Sequence, residues 1–441
     1  MEDVLTPEAA LEKATMRRVT LRLLPFLMLC YFFALLDRVN VGFAALQMNK
    51  DLGLSAAAFG LGSSLFFVAY FLVEVPSNLA LEKFGARRWI ARIMITWGVI
   101  SAGMAFIVGP YSFYGMRLLL GAAEAGFFPG VVLFLTYWFP AAYRARIIAV
   151  FMVSIPVASF IGSPVSALLL ELNGVLGLRG WQWLFICEGV PTVLLGLACL
   201  RVLTDRPAHA KWLTTDQRAW LSARIEADGS KKTAIGHVSI WELFRNKHFL
   251  VMAMVCAGAS ATGTALSIWQ PQILKGFGLS NLQTGFLNSV PYGIASVLMI
   301  LWGRHSDRTG ERRWHTALAL LLIAAGLTSL AFTAGMLVPT VMLLSCALIG
   351  AYSFKGPFWA LSAGWLSAST LAAGLAGINA IANLIGGGLM VNAVGLLKEW
   401  SGSYAVGMIP LVLLTLAGAI SVLVISRSHA RETAAAAAVA A

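Results

Sequence analysis

Charge is scarce in this sequence. Only 12% of its 441 residues are Asp, Glu, Lys or Arg, against roughly 25% in soluble domains. So few charges could not cover the surface of a water-soluble chain this long, which excludes an ordinary globular protein. The six histidines (209, 237, 248, 305, 315 and 429) form no cluster with metal-ligand spacing. The nucleophile elbow of hydrolases and the glycine-lysine loop that cradles nucleotide phosphates are both missing. These absences argue against an enzyme, a metal or other cofactor, and direct use of ATP. Cys30, Cys187, Cys199, Cys256 and Cys346 all lie in apolar stretches, so no disulfide is expected and packing is their role. The N-terminus mixes acids with bases, and its first apolar run is long enough to remain as a helix, so no cleaved leader is expected.

What the chain has instead is apolar length, with 59% hydrophobic residues. Runs of about twenty residues, enough to cross a ~30 Å hydrocarbon core, recur near 19–44, 57–79, 89–109, 112–136, 145–170 and 181–203. A second set follows near 248–274, 282–302, 315–335, 338–361, 369–397 and 403–426. Helices are the spanning element, because unpaired backbone groups are too costly in lipid and barrel strands would be shorter and alternating. The expectation is an all-α membrane protein of twelve transmembrane helices in two six-helix halves, 1–203 and 248–428. A cytoplasmic linker at 204–247 and a tail at 429–441 complete it. Within the linker, Thr214 and Gln217 fit a capping box, with Trp220, Leu221 and Ile225 expected to rest on the membrane interface.

The net charge of +12 suggests nucleic acid until the charges are located. Twelve spans put both termini on one side. With that side cytoplasmic, only Lys50, Arg179, Lys275 and Lys398 fall outside, and Arg38, Arg117 and Lys355 fall within spans. The remaining bases lie inside, which is the positive-inside rule. The basic excess therefore reports topology, with both termini cytoplasmic in the cell inner membrane, and implies lipid rather than nucleic acid as its surroundings. A monomer is expected.

The halves repeat one loop. Asn78, Glu82, Lys83, Gly85, Arg87, Arg88 and Trp89 stand in the same register as Gly303, Asp307, Arg308, Gly310, Arg312, Arg313 and Trp314. Internal duplication is a signature of secondary transporters, whose site lies near the midplane between repeats. The second copy resembles the loop motif of the major facilitator superfamily; the first departs from it at Asn78 and Glu82. Its acid is expected to cap a helix end and pair with arginines, so Glu82, Arg87, Arg88, Asp307, Arg308, Arg312 and Arg313 form a candidate cytoplasmic gate. A plain topology signal is the alternative.

Further segments resemble the anion:cation symporter family: Leu36 to Ala45, Gly121 to Gly130, and Trp183 to Gly189. Phe354 to Leu361 is similar to the branch containing bacterial tartrate transporters. The resemblance covers nearly the whole chain. It implies proton-coupled symport of a small organic anion such as tartrate, with aromatic carboxylates or sugar acids as alternative cargo and drug/proton efflux as a more distant one. A transporter-shaped sensor would need a signalling appendage.

Ionisable groups within spans cost at least ~2.5–3.5 kcal/mol each on insertion scales, so each needs a reason. Helical rise places Asp37 and Arg38 ~9 Å above the midplane, Arg117 at similar height and Glu124 ~10 Å deeper on nearly the same face as Arg117. One reading gives Arg38 and Arg117 to the substrate carboxylate and Asp37 and Glu124 to protons; the resembling family associates acids at these two positions with proton coupling. The other is a fixed ion network pinning two helices. No histidine sits deep enough for a relay, so a protein-borne proton must sit on a carboxylate. Glu74 and Glu188 read better as structural groups. Tyr70 matches a cavity-facing tyrosine of the family. Lys355, ~9 Å below the midplane, could hold a second anionic group or snorkel to the surface. Trp269, Gln270, Gln272, Asn288, Tyr292, Asn379 and Asn383 are neutral candidates for substrate contact, with interhelical hydrogen bonding as the alternative.

Overall fold

The computed structural model describes residues 6–230, 245–365 and 371–440. The linker between 231 and 244, with His237, lies outside the described residues. Among those described, twelve helices are long and apolar enough to span a membrane. The first six are α1 (Pro7–Asp51), α2 (Ala56–Phe84), α3 (Ala86–Phe106), α4 (Pro110–Trp138), α5 (Ala141–Leu170) and α6 (Gly180–Val202). The second six are α7 (Lys247–Lys275), α8 (Asn281–Thr309), α9 (Arg313–Phe332), α10 (Leu337–Ala363), α11 (Gly374–Ser401) and α12 (Tyr404–Val424). The helix of α12 continues through the Ala-rich tail to Ala440.

Several spans are not simple rods, which the apolar pattern did not reveal. α4 breaks after Glu124: Ala125 is extended and Gly126 takes φ +86°, before the helix resumes at Phe127. A left-handed residue without a Cβ is the cheapest way to make such a break. A side chain at Gly126 would also strike Ser77 Oγ. α11 carries a π-helical stretch at Leu384–Met390 containing three glycines, a distortion frequent at functional sites.

The duplicated loops are alike for a physical reason. Gly85 and Gly310 both adopt left-handed φ, +88° and +67°, so each repeat turns from one span to the next on its glycine. The expected helix caps exist, but other acids supply them. Asp205, at the start of the linker, accepts from Arg87 N at 2.8 Å. Glu311 accepts from Trp314 N at 2.7 Å and His315 N at 3.1 Å and contacts the His315 ring. Partial burial opposes ionisation of Glu311, but those donors outweigh it and hold its carboxyl below the usual range. This cap therefore stabilises above the ordinary carboxylate range and weakens as pH falls through its lowered value.

The linker helix Thr215–Ser230 begins with the expected capping box, Gln217 N on Thr214 Oγ1 and Thr214 N on Gln217 Oε1. Its apolar face differs from expectation. Leu221 is fully buried, with Trp220 and Ile225 packed on the core of the first half, because protein rather than lipid is the nearest apolar surface. Asp228 accepts from Ala141 N at 2.6 Å and so caps α5.

The halves meet at the ends away from the termini. Gly42 on α1 lies against α7, and Gly60 on α2 against Gly395 on α11. Ala57 N donates to Glu399 at 2.7 Å, and Phe59 meets Trp269 edge-on at 5.2 Å between ring centroids. No hydrogen bond or ion pair among the described residues joins the two halves near the termini. In this conformation the seam away from the termini is thus closed.

A Cβ on Gly42 would stand 2.8 Å from the carbonyl oxygens of both Ser267 and Ile268. Gly42→Ala should therefore penalise only the conformation with this seam closed, by about 1–3 kcal/mol for overpacking. Maleimide labelling of a cysteine placed at Asn49, beside the seam, should quicken severalfold in purified protein. Unchanged labelling would contradict this.

Candidate functional site

Asp37 and Arg38 are adjacent on α1, and the ~100° step between helical neighbours sends them to different partners. Asp37 turns toward α3. It accepts from the indole of Trp97, from the hydroxyl of Ser101 and from Asn40 Nδ2 at 2.9 Å. The same Asn40 amide donates to Glu188 at 2.8 Å, and Ser166 Oγ lies 3.3 Å from the other oxygen of that carboxyl. Both acids are 3% exposed, and every hydrogen-bond donor is neutral. Asp37 is therefore not an arginine partner; it is caged by α3 and bridged to α6. Glu188 braces the helices as expected.

Arg38 turns toward α4. Its Nε donates to Glu124 Oε1 at 2.8 Å, with a second nitrogen at 2.6 Å. Glu124 is 1% exposed while the Arg38 side chain keeps 28%, so the pair is enclosed on its carboxylate side and partly open on its guanidinium side. Glu124 is the last helical residue before the break at Gly126, and its Oε2 has no partner. Arg117, seven residues earlier on α4, is 2% exposed. Among the described residues it has no carboxylate within ion-pairing distance and no hydrogen bond. Its guanidinium lies over the Phe66 ring at 4.6 Å; Arg38 approaches the same ring at 5.8 Å and Tyr70 at 5.1 Å. Phe66 thus brings two guanidinium groups into one neighbourhood, only one of them neutralised.

The second half presents polar groups without partners. Gln270 is fully buried with both amide atoms unpaired, and the Tyr292 hydroxyl and Asn288 Oδ1 are unpaired too. Asn288 Nδ2 reaches across the halves to Ser163 Oγ at 2.8 Å. Tyr292 packs edge-on against Tyr352, and Lys355 lies over Tyr352 at 5.1 Å. Lys355 has no carboxylate partner among the described residues. Asn379 and Asn383 are half-buried and make no hydrogen bond to a described residue. Trp269 is placed elsewhere: it plugs the closed seam, donating to Val391 O at 3.3 Å, and Gln272 neighbours Asn49 and Tyr404 there. Buried polar atoms are ordinarily satisfied, so the unpaired atoms of Arg117, Glu124, Gln270, Asn288 and Tyr292 are the candidates for contact with a ligand.

Among the described residues, no ion pair or hydrogen bond links the candidate gate residues of one half to those of the other. Asp307 pairs with Arg312 of its own loop at 2.7 Å, and Arg313 donates to Leu423 O at 2.8 Å. Glu82, Arg87, Arg88 and Arg308 are exposed, with no ion pair among the described residues. Sequence reasoning missed Asn40, Phe66, Trp97, Ser101 and Ser166. None is charged, and each looks like an ordinary span residue until the helices are packed.

The comparisons with known proteins agree with this architecture. The profile of the Major Facilitator Superfamily matches residues 27–390. The chain belongs to that superfamily. It is a multi-pass membrane transporter and not an enzyme. It is 50% identical over 420 residues to an Agrobacterium vitis protein provisionally named a tartrate transporter, covering 95% of this chain and 96% of the relative. It is 41% identical to a quinolone resistance transporter of Acinetobacter baumannii, covering 93% and 94%. A bacterial homolog of the human lysosomal transporter Spinster, in an inward-facing and occupied conformation, superposes with a TM-score of 0.76. That alignment covers 92% of this chain and 96% of the other at 17% identity, and so speaks to the fold alone.

The cage around Asp37 yields a direct test. Trp97→Phe keeps most of the ring but deletes the indole N–H, which should cost about 1–3 kcal/mol for a buried carboxylate left one donor short. The midpoint of thermal unfolding in detergent should fall by several degrees, while Trp97→Phe/Asp37→Asn should lose less than the two single changes summed. Strict additivity would break the assignment.

Proposed function

We propose that this transporter is a proton-coupled symporter that takes up a small hydroxylated organic anion, with tartrate as the leading candidate, across the cell inner membrane. The observation carrying this reading is Arg117: a buried cation that forms no ion pair with any carboxylate among the described residues. A guanidinium held this way is costly without an occupant, and its flat fork suits a carboxylate in a bidentate grip. The relative named for tartrate transport and the positive-inside distribution of Lys and Arg support the cargo and the orientation.

The coupling follows from the second arginine. Arg38 is occupied by Glu124, so an arriving anion meets one free guanidinium and one that is already taken. A proton on Glu124 removes its negative charge and releases Arg38 toward the substrate. The anion and the proton then favour each other's binding, and linkage makes the two effects equal. Asp37, enclosed by neutral donors, is the second proton site, communicating with the first through the adjacent backbone of α1. Gln270, Asn288, Tyr292, Asn379 and Asn383 offer hydrogen bonds to hydroxyl groups, and Lys355 offers a charge to a second carboxylate. The Asp307–Arg308 loop governs exchange between conformations rather than affinity.

Arg117→Ala should lower tartrate affinity roughly 10- to 100-fold, the value of one or two charge-assisted hydrogen bonds, without loss of fold. Glu124→Gln should still exchange external for internal tartrate yet fail to accumulate it when the outside is acidified. Radiolabelled tartrate in proteoliposomes, with and without an imposed proton gradient, measures both. Accumulation by Glu124→Gln equal to wild type would remove that residue from coupling. Tight quinolone binding without competition from tartrate would favour efflux instead.

A further inference from the structure

A second basic site lies well away from the transport site. Where α1, α3 and α6 end on the side of the termini, a cavity of about 670 Å³ is lined by Arg22, Arg87, Arg201 and Lys211. None of these four has an ion-pair partner among the described residues. Among the described residues Asp205 is the only carboxylate in the lining, and it is engaged by Arg87 N at 2.8 Å, capping α3. Its charge is thus partly spent on the helix end, and the cavity stays strongly positive.

The wall opposite is aromatic and fixed. Trp212 stacks on Trp138 at 5.2 Å, and Trp138 is itself anchored to Thr204 O at 3.1 Å. Arg22 lies over the Trp212 ring at 5.0 Å, and the Trp212 indole nitrogen is buried without an acceptor. Four cations therefore line one space beside an aromatic wall, and the complement of that space is a polyoxygen anion.

The location selects the source of that anion. The three helix ends leave the apolar layer here, which is headgroup depth, where an indole is also at home. Above the cavity, α3 and α6 expose Val99, Val190, Leu194 and Leu197, between 47% and 60% exposed, as an apolar surface for an acyl chain. We propose that this cavity binds the phosphate headgroup of an anionic phospholipid from the leaflet on the side of the termini. Basic pockets between transmembrane helices recognise such headgroups through charge and hydrogen bonds. Because Arg87 immediately follows the loop that ends at Gly85, an occupied site ties that loop to α6 and the linker. Leaflet composition would then tune turnover without touching substrate affinity.

The test uses purified full-length protein and phosphatidylglycerol as the probe. Native mass spectrometry should find phosphatidylglycerol retained by wild type. Retention should fall about 25-fold in Arg201→Gln/Lys211→Gln, since each basic group near a charged surface contributes about fivefold. Retained phosphatidylcholine should not differ between the two. Tartrate binding by the double variant should match wild type, and turnover of the wild type alone should respond to added phosphatidylglycerol. Lys211→Gln on the linker provides a milder variant, expected to lose about fivefold, if the double variant unfolds. Equal retention by wild type and variants would overturn the proposal. So would full displacement of the lipid by millimolar inorganic phosphate, which would make this a soluble-anion site.

Discussion

A charge inside a lipid bilayer must be neutralised by a partner, reach water, or be held for a ligand, and the central part of this protein is organised by that constraint. Two acids and two bases on α1 and α4 would make two neutral pairs if pairing were the aim. The structure makes one. Arg38 and Glu124 neutralise each other, while Asp37 is hydrogen-bonded by neutral donors and Arg117 lies over an aromatic ring. This unequal division leaves one guanidinium without an ion pair among the described residues and one tied to a buried carboxylate.

The irregular backbone serves the same arrangement. The break after Glu124 ends one helical segment beside the carboxylate, and Gly126 is needed there both for its left-handed φ and for the approach of Ser77. Discontinuous helices are tolerated at membrane depth only where protein or a cavity satisfies the freed backbone groups. The glycines at the closed seam do a different task, letting backbones of opposite halves touch at separations a Cβ would forbid. Tight packing of this kind holds the two halves together along the closed seam.

The neutral residues explain why a charge-based reading of such proteins is incomplete. Asn40 joins two buried carboxyls through one amide, and Phe66 gathers two guanidinium groups on one ring. Neither residue carries charge, yet each determines which ionisable groups feel one another. In a medium that weakly screens electrostatics, small changes in such neighbours move the balance between pairing and ligand capture.

The linear sequence by itself determined the twelve spans, the two halves, the repeated loop and the list of intramembrane charges. Those properties depend on local composition, because hydrocarbon imposes its length and its penalty on each segment separately. Gly85 and Gly310 were legible in the same way, as matched turn glycines within a repeat. Which acid meets which base was not. Asp37 and Arg38 are adjacent in the chain and part company by one helical step, while Arg38 and Glu124 are 86 positions apart and form the salt bridge. The caps supplied by Asp205 and Glu311, the cage of Trp97 and Ser101, the plugging role of Trp269 and the inward turn of Leu221 were likewise decided only by packing. Pairing and burial are properties of neighbours in space, and helical periodicity gives a side chain's direction about its own axis but not what stands opposite it.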